Sequence, residues 1–171
     1  MMKRMLPPVL AIASIIAALL LWPAATPAAE NGEVEWLNYS EAVSRGAAED
    51  KIILVDVYTD WCGWCRKMDR EVYGDAAVRE YLAAHYVAAK LDAESGARHT
   101  VQGQEATESQ IAKAYGISGY PATIFLNAEG EIITILSGYV DRDRFLLVLE
   151  YIHEGIYETQ GWEDFLSSRG K

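Results

Sequence analysis

Cysteine is scarce in this chain: two residues in 171, at positions 62 and 65. Two cysteines are too few for a disulfide framework, and a four-ligand metal site would need two further donors. Histidine could supply them, but there are only three, His85, His99 and His153, and none stands at a recognisable ligand spacing. A zinc or copper site is therefore the rejected reading, and no metal is expected. Basic residues are also short, with 15 Lys and Arg against 25 Asp and Glu and a net charge of -10. A balance that acidic argues against nucleic acid or an anionic lipid surface as partner, and solubility alone accounts for it. Internal repeats and low-complexity tracts are absent. Beyond the N-terminus there is no apolar run long enough to cross a bilayer, which takes about 20 residues.

What is present is a chain with 51% apolar and 11% aromatic residues, enough for one core and a single domain. Its N-terminus carries Lys3 and Arg4, an uncharged apolar run over 9–22, and small residues over 23–29. That pattern reads as a secretory signal peptide covering 1–29, with cleavage preferred over an uncleaved inner-membrane anchor because the apolar run is short. The domain then occupies 30–171, with a core over about 34–155 and an extension over 156–171. Losing Lys3 and Arg4 leaves 13 basic side chains against 25 acidic ones. The expected location is periplasmic or secreted, where disulfides persist.

Both cysteines lie where the sequence changes period. Ile52 to Tyr58 is a nearly continuous β-branched and aliphatic run, the mark of a strand buried on both faces. Beyond it, Cys65, Met68 and Val72 fall at helical spacing. Cys62 thus opens a helix, where unpaired N–H groups and the positive end of the dipole stabilise a thiolate, and Cys65 lies one turn inside. Gly63 is expected to permit the tight turn and leave the sulfur uncovered. Trp61 and Trp64 supply an apolar rim suited to extended chains. Asp56 interrupts the buried strand, where an ionised carboxylate is costly without a partner; Lys67 and Lys90 are both candidates for that role. The alternative for Asp56 is a surface-facing position on a half-exposed strand.

The segment Val55-Asp56-Val57-Tyr58-Thr59-Asp60-Trp61-Cys62-Gly63-Trp64-Cys65, followed by Gly119-Tyr120-Pro121-Ala122-Thr123, resembles the thioredoxin superfamily, in particular its exported bacterial members with a Cys-Gly-Trp-Cys site. The resemblance runs from about 34 to 155. It implies that Asp56 is the buried carboxylate beneath the second cysteine, that the bond before Pro121 is cis, and that Tyr120 and Pro121 border the substrate groove. Trp64 departs from the proline of thioredoxin and the histidine of protein disulfide isomerase, which leaves the redox potential open.

Read independently of that motif, the remaining pattern gives strands near 34–37, 52–58, 86–91, 121–126 and 132–136. Helices are expected over 41–45 (capped by Ser40, with Gly46 near its end), 62–73, from the Asp75 cap onward, around Ile111 to Tyr115, and after Asp141. A polar 92–109 insertion with a turn or short strand near 101–104 stands between, and a short amphipathic helix around Trp162, Phe165 and Leu166 closes the chain. This order is α/β, a central mixed sheet of four to five strands with helices on both faces, as the thioredoxin fold requires.

The expected activity is thiol-disulfide exchange, with Cys62 attacking, Cys65 resolving and Asp56 accepting a proton. No cofactor is expected beyond the Cys62–Cys65 couple. The substrates are protein or small-molecule disulfides, and a membrane electron-transfer protein is the expected reductant. The alternatives are a disulfide oxidase or isomerase, and a non-catalytic thioredoxin-fold binding or chaperone-like module.

Overall fold

The computed structural model describes residues 32–101 and 103–170. The expected signal peptide lies outside them. No helix among the described residues is long and apolar enough to cross a membrane.

Five strands form the central sheet: β1 (Trp36–Leu37), β2 (Ile52–Tyr58), β3 (Tyr86–Asp92), β6 (Ala122–Leu126) and β7 (Ile132–Ser137). Their order is β1-β3-β2-β6-β7, parallel from β1 through β3 to β2 and antiparallel from β2 through β6 to β7. A separate two-stranded hairpin, β4 (Arg98–Val101) and β5 (Gln104–Thr107), fills the 92–109 insertion. That is more regular than the single turn or short strand expected there.

Strand alternation sorts the core into two layers. Ile53, Val55 and Val57 pack with Tyr39 and Ala42 of α1 (Tyr39–Glu49) and with Ile111 and Ala112 of α4 (Glu108–Ala114). Leu54 faces the other way, onto Met68 of α2 (Gly63–Met68), Val78 and Leu82 of α3 (Ala76–His85), and Phe145 and Leu149 of α5 (Arg142–His153). Asp56, two residues after Leu54, shares that second face. In the C-terminal extension α6 (Trp162–Ser168) buries Phe165.

The first helix is longer than its sequence signals suggested. Asn38, not Ser40, is its cap: the Asn38 side chain accepts from the Glu41 amide at 3.0 Å while the Glu41 carboxylate takes the Asn38 N–H. Ser40 instead faces the hairpin, its hydroxyl oxygen accepting from the Thr100 amide at 3.1 Å. The helix also runs through Gly46, the expected stop, to Asp50 in the left-handed region. Gly46 is present for a packing reason, since a Cβ there would meet Ile53 Cγ1 at 2.5 Å and Cδ1 at 2.7 Å.

Gly46→Ala therefore sets two effects against each other. Helix propensity favours alanine by about 1 kcal/mol, and overpacking a filled core costs about 1–3 kcal/mol. Ile53 is fully buried, so its side chain would have to shift within the core to admit the methyl group. We expect net destabilisation of about 1 kcal/mol in urea unfolding; a gain in stability would show that α1 can lift from β2.

Candidate active site

β2 ends at Tyr58, and the chain turns through Thr59, Asp60 and Trp61 into Cys62, whose N–H donates to the Thr59 carbonyl at 3.1 Å. Cys62 is the N-cap of α2, and its sulfur accepts the backbone N–H of Cys65 at 3.0 Å. A cap position that already receives an amide proton favours negative charge on the sulfur once the bond opens. Here the two sulfurs are joined in a disulfide.

Accessibility differs from expectation. Both cysteines are only 4% exposed, so Cys62 is set apart by its cap position and not by a more open surface. Gly63 is not demanded by the turn either. Its backbone lies outside the left-handed region, and a Cβ would meet only the Arg66 guanidinium at 3.9 Å. What is open is the rim: Trp61 is 64% and Trp64 57% exposed. The Trp61 indole packs edge-on to Tyr120 at 5.9 Å between centroids and donates to the Glu94 carboxylate at 3.0 Å. Tyr120 precedes Pro121 through a cis peptide bond, and the Pro121 carbonyl accepts the Gly138 N–H at 2.8 Å.

Asp56 is 2% exposed. Sheet register sets it opposite Lys90 on β3 and Thr123 on β6. Lys90 Nζ lies 3.2 Å from Asp56 Oδ2 and 2.6 Å from Asp69 Oδ1, and it also stands about 5 Å from the ring centres of Trp36 and Tyr58. Lys90, and not Lys67, is thus the partner of Asp56; Lys67 reaches Glu71 at 3.7 Å on the exposed side of the helix. The Tyr73 hydroxyl donates to Asp56 Oδ1 at 3.4 Å and lies equally far from the Thr123 hydroxyl.

Burial is the dominant effect on Asp56 and pushes its pKa up to about 6; the Lys90 charge opposes that shift, and the Asp69 charge adds to it. On Lys90 itself, partial burial pulls downward, but Asp56 and Asp69 together outweigh it and the pKa ends above the ordinary value. Tyr73, fully enclosed, is held well above the usual phenol range by burial first and the Asp56 charge second.

Sequence reasoning missed Asp69 and Tyr73. Both belong to a wide turn, Asp69–Tyr73, that continues α2 with π-type hydrogen bonding. Such turns recur at functional sites. No sequence periodicity announces one, and the tie to Lys90 depends on tertiary register. Glu94 was equally hidden, inside a polar stretch read as loop. Of the histidines, His85 and His153 stack with centroids 4.0 Å apart while His99 pairs with Glu108 at 3.0 Å. Among the described residues no cluster of three or more metal-binding side chains occurs.

Residues 39–153 match the thioredoxin-like domain family. The chain belongs to the thioredoxin-like family. It is similar to the disulfide bond reductase DsbH of Chlamydia pneumoniae, 25% identical over 99 residues that cover 57% of this chain and 59% of that one. It is also similar to the thiol:disulfide interchange protein DsbD of Ralstonia nicotianae, 32% identical over 110 residues, covering 64% of this chain. The matched region spans only 17% of DsbD. Among solved structures, a candidate disulphide-isomerase of Bacteroides thetaiotaomicron is 31% identical, with a TM-score of 0.56 over 75% of this chain and 97% of that one. The mixed five-stranded sheet with helices on both faces is the thioredoxin fold.

The raised pKa of Asp56 makes this thioredoxin-like domain sensitive to pH in a defined direction. A folded value near 6, above the 3.8 of the free side chain, means that the folded state holds the proton more tightly. The contribution to stability is complete below pH 3.8 and is lost as pH rises through about 6. Urea unfolding of the disulfide form should therefore show the wild type losing stability relative to Asp56→Asn between pH 4 and 7. A constant difference between the two proteins across that range would contradict the assignment.

Proposed function

We propose that this protein is an exported thiol-disulfide oxidoreductase that reduces protein disulfides, in the periplasm or after secretion, through the Cys62/Cys65 dithiol. The observation that carries the reading is the pairing of two features, one on α2 and one on β2 beneath it. The Cys65 N–H is aimed at Cys62 Sγ at 3.0 Å, and the buried Asp56 carboxyl lies on the sheet face that α2 covers.

In the first step the Cys62 thiolate attacks one sulfur of a substrate disulfide. The Cys62–substrate S–S bond forms, the substrate S–S bond breaks, and its electron pair leaves on the substrate's other thiolate, which takes a proton from solvent. In the second step Cys65 gives up its proton, directly or through a water, to Asp56. The resulting thiolate attacks Cys62 Sγ, and the electron pair of the mixed disulfide leaves with the second substrate thiolate. Two electrons pass to the substrate and the Cys62–Cys65 disulfide remains. No separate cofactor enters, and the enzyme returns to its dithiol form by the reverse exchange with a dithiol donor. We assign that role to a membrane electron-transfer protein carrying reducing equivalents outward.

The direction is supported by Asp56: with a pKa near 6 it is mostly ionised at neutral pH and able to take the Cys65 proton at the moment of release. Trp61, Trp64, Tyr120 and Pro121 form the substrate border. The second reading is an isomerase or oxidase, which the similarity to a candidate disulphide-isomerase favours. A non-catalytic module with a static disulfide leaves the buried proton acceptor without a role.

Trapping separates these readings. Cys65→Ser should accumulate mixed disulfides with substrate proteins through Cys62, visible as bands that a reductant removes, and Cys62→Ser should not. Equal trapping by both variants would overturn the assignment of Cys62 as attacking thiol, and trapping by neither would favour the static module.

A further inference from the structure

Trp64 does not stand free on the helix surface. Its ring lies 5.5 Å from that of Tyr139, which comes from the loop between β7 and α5. Lys67 Nζ sits between the two, 5.0 Å from the Trp64 centroid and 4.7 Å from that of Tyr139. Glu71 completes the ring of contacts, 3.7 Å from Lys67 and accepting the Tyr139 hydroxyl at 3.0 Å. Trp64 and Lys67 stand at i and i+3 on α2 and Glu71 follows in the wide turn, so one continuous segment supplies three members and a distant loop the fourth.

We infer that Tyr139, Lys67 and Glu71 hold Trp64 as a fixed apolar wall beside Cys62, and that the wall selects substrate segments whose cysteine is flanked by uncharged apolar side chains. The inference rests on the oxidoreductase reading and names the substrate class for that site.

Two features of the cluster carry it. A tryptophan that stays 57% exposed keeps most of its surface for a partner, and one already held in place loses little conformational freedom when that partner arrives. The cluster is also internally neutral. The Lys67 ammonium is taken up by two aromatic faces and the Glu71 carboxylate, so the wall offers no unmatched charge to an acidic or basic segment. A charged small-molecule disulfide gains nothing there, whereas a leucine or aromatic side chain next to the substrate cysteine can cover the indole. Tyr139, Lys67 and Glu71 are positioning residues, since they act through Trp64.

The test is single-turnover reduction by the pre-reduced protein of two disulfide-linked peptides, identical except that leucine flanks each cysteine in one and glycine in the other. The wild type should reduce the leucine peptide on the order of five-fold faster at low peptide concentration, the scale of one aromatic contact. Tyr139→Ala should bring that ratio close to one, and Tyr139→Phe, which keeps the ring but loses the hydroxyl bond to Glu71, should retain most of it. If Tyr139→Ala does not fold, Lys67→Ala removes the cation from between the rings and should lower the ratio in the same way. A merely structural role would slow both peptides alike and leave the ratio unchanged. A ratio preserved in both alanine variants, or a wild type that reduces both peptides equally well, overturns the inference alone. A wild type that reduces neither overturns the oxidoreductase reading and the inference with it.

Discussion

The burial of one carboxylate in the central strand is the constraint on which the site depends. Moving an ionised carboxylate out of water costs several kcal/mol unless it is paired and hydrogen-bonded. The surroundings of Asp56 offset that only in part: one ammonium shared with Asp69, and a long hydrogen bond from Tyr73. Had Lys90 belonged to Asp56 alone, the carboxyl would be held closer to its ordinary range. Without Lys90 the one opposing charge would be gone and burial would push the carboxyl further up. Sharing the lysine leaves the carboxyl with a pKa of about 6, where it is mostly ionised at neutral pH yet basic enough to take a proton.

That balance is a product of register. Lys90 meets Asp56 because β3 runs parallel to β2 with those two residues opposite, and Thr123 reaches the same place from the antiparallel side. A one-residue slip of β3 would send Lys90 to the opposite face and leave the carboxylate unpaired in the core. The strand pairing that builds the sheet thus also fixes the electrostatics of the site.

The parts that were legible in the sequence are those with a local cause. The run Ile52 to Tyr58 is a strand because its residues are β-branched and apolar, and Cys62 caps a helix because the period changes there. Asp56 stood out as a charge where none is easily tolerated. Where local signals competed, they misled: Ser40 is as good a cap as Asn38 on propensity, and Gly46 resembles a helix stop until Ile53 is seen against it. The choice between Lys67 and Lys90 could not be made from one chain, because it is decided by strand pairing on one side and by two aromatic rings on the other. Glu94, Asp69 and Tyr139 are ordinary surface residues by sequence and acquire roles only through contacts from 33, 21 and 68 positions away.

The helix after Cys62 is where these separate causes meet. Its inner side, Cys65, Met68 and Val72, is buried and fixes the helix on the sheet. Its outer side, Trp64, Lys67 and Glu71, is bound to Tyr139. The wide turn at its end directs Asp69 and Tyr73 toward the Lys90–Asp56 pair. Each side constrains the orientation of the same six-residue segment, Gly63–Met68, one by packing, one by an aromatic clamp and one by an ionic network. A short helix has little intrinsic stability in water, since nucleation is costly and few bonds follow. Its place at the site must therefore come from these tertiary contacts, which carry the Cys62 cap and the Cys65 amide with it.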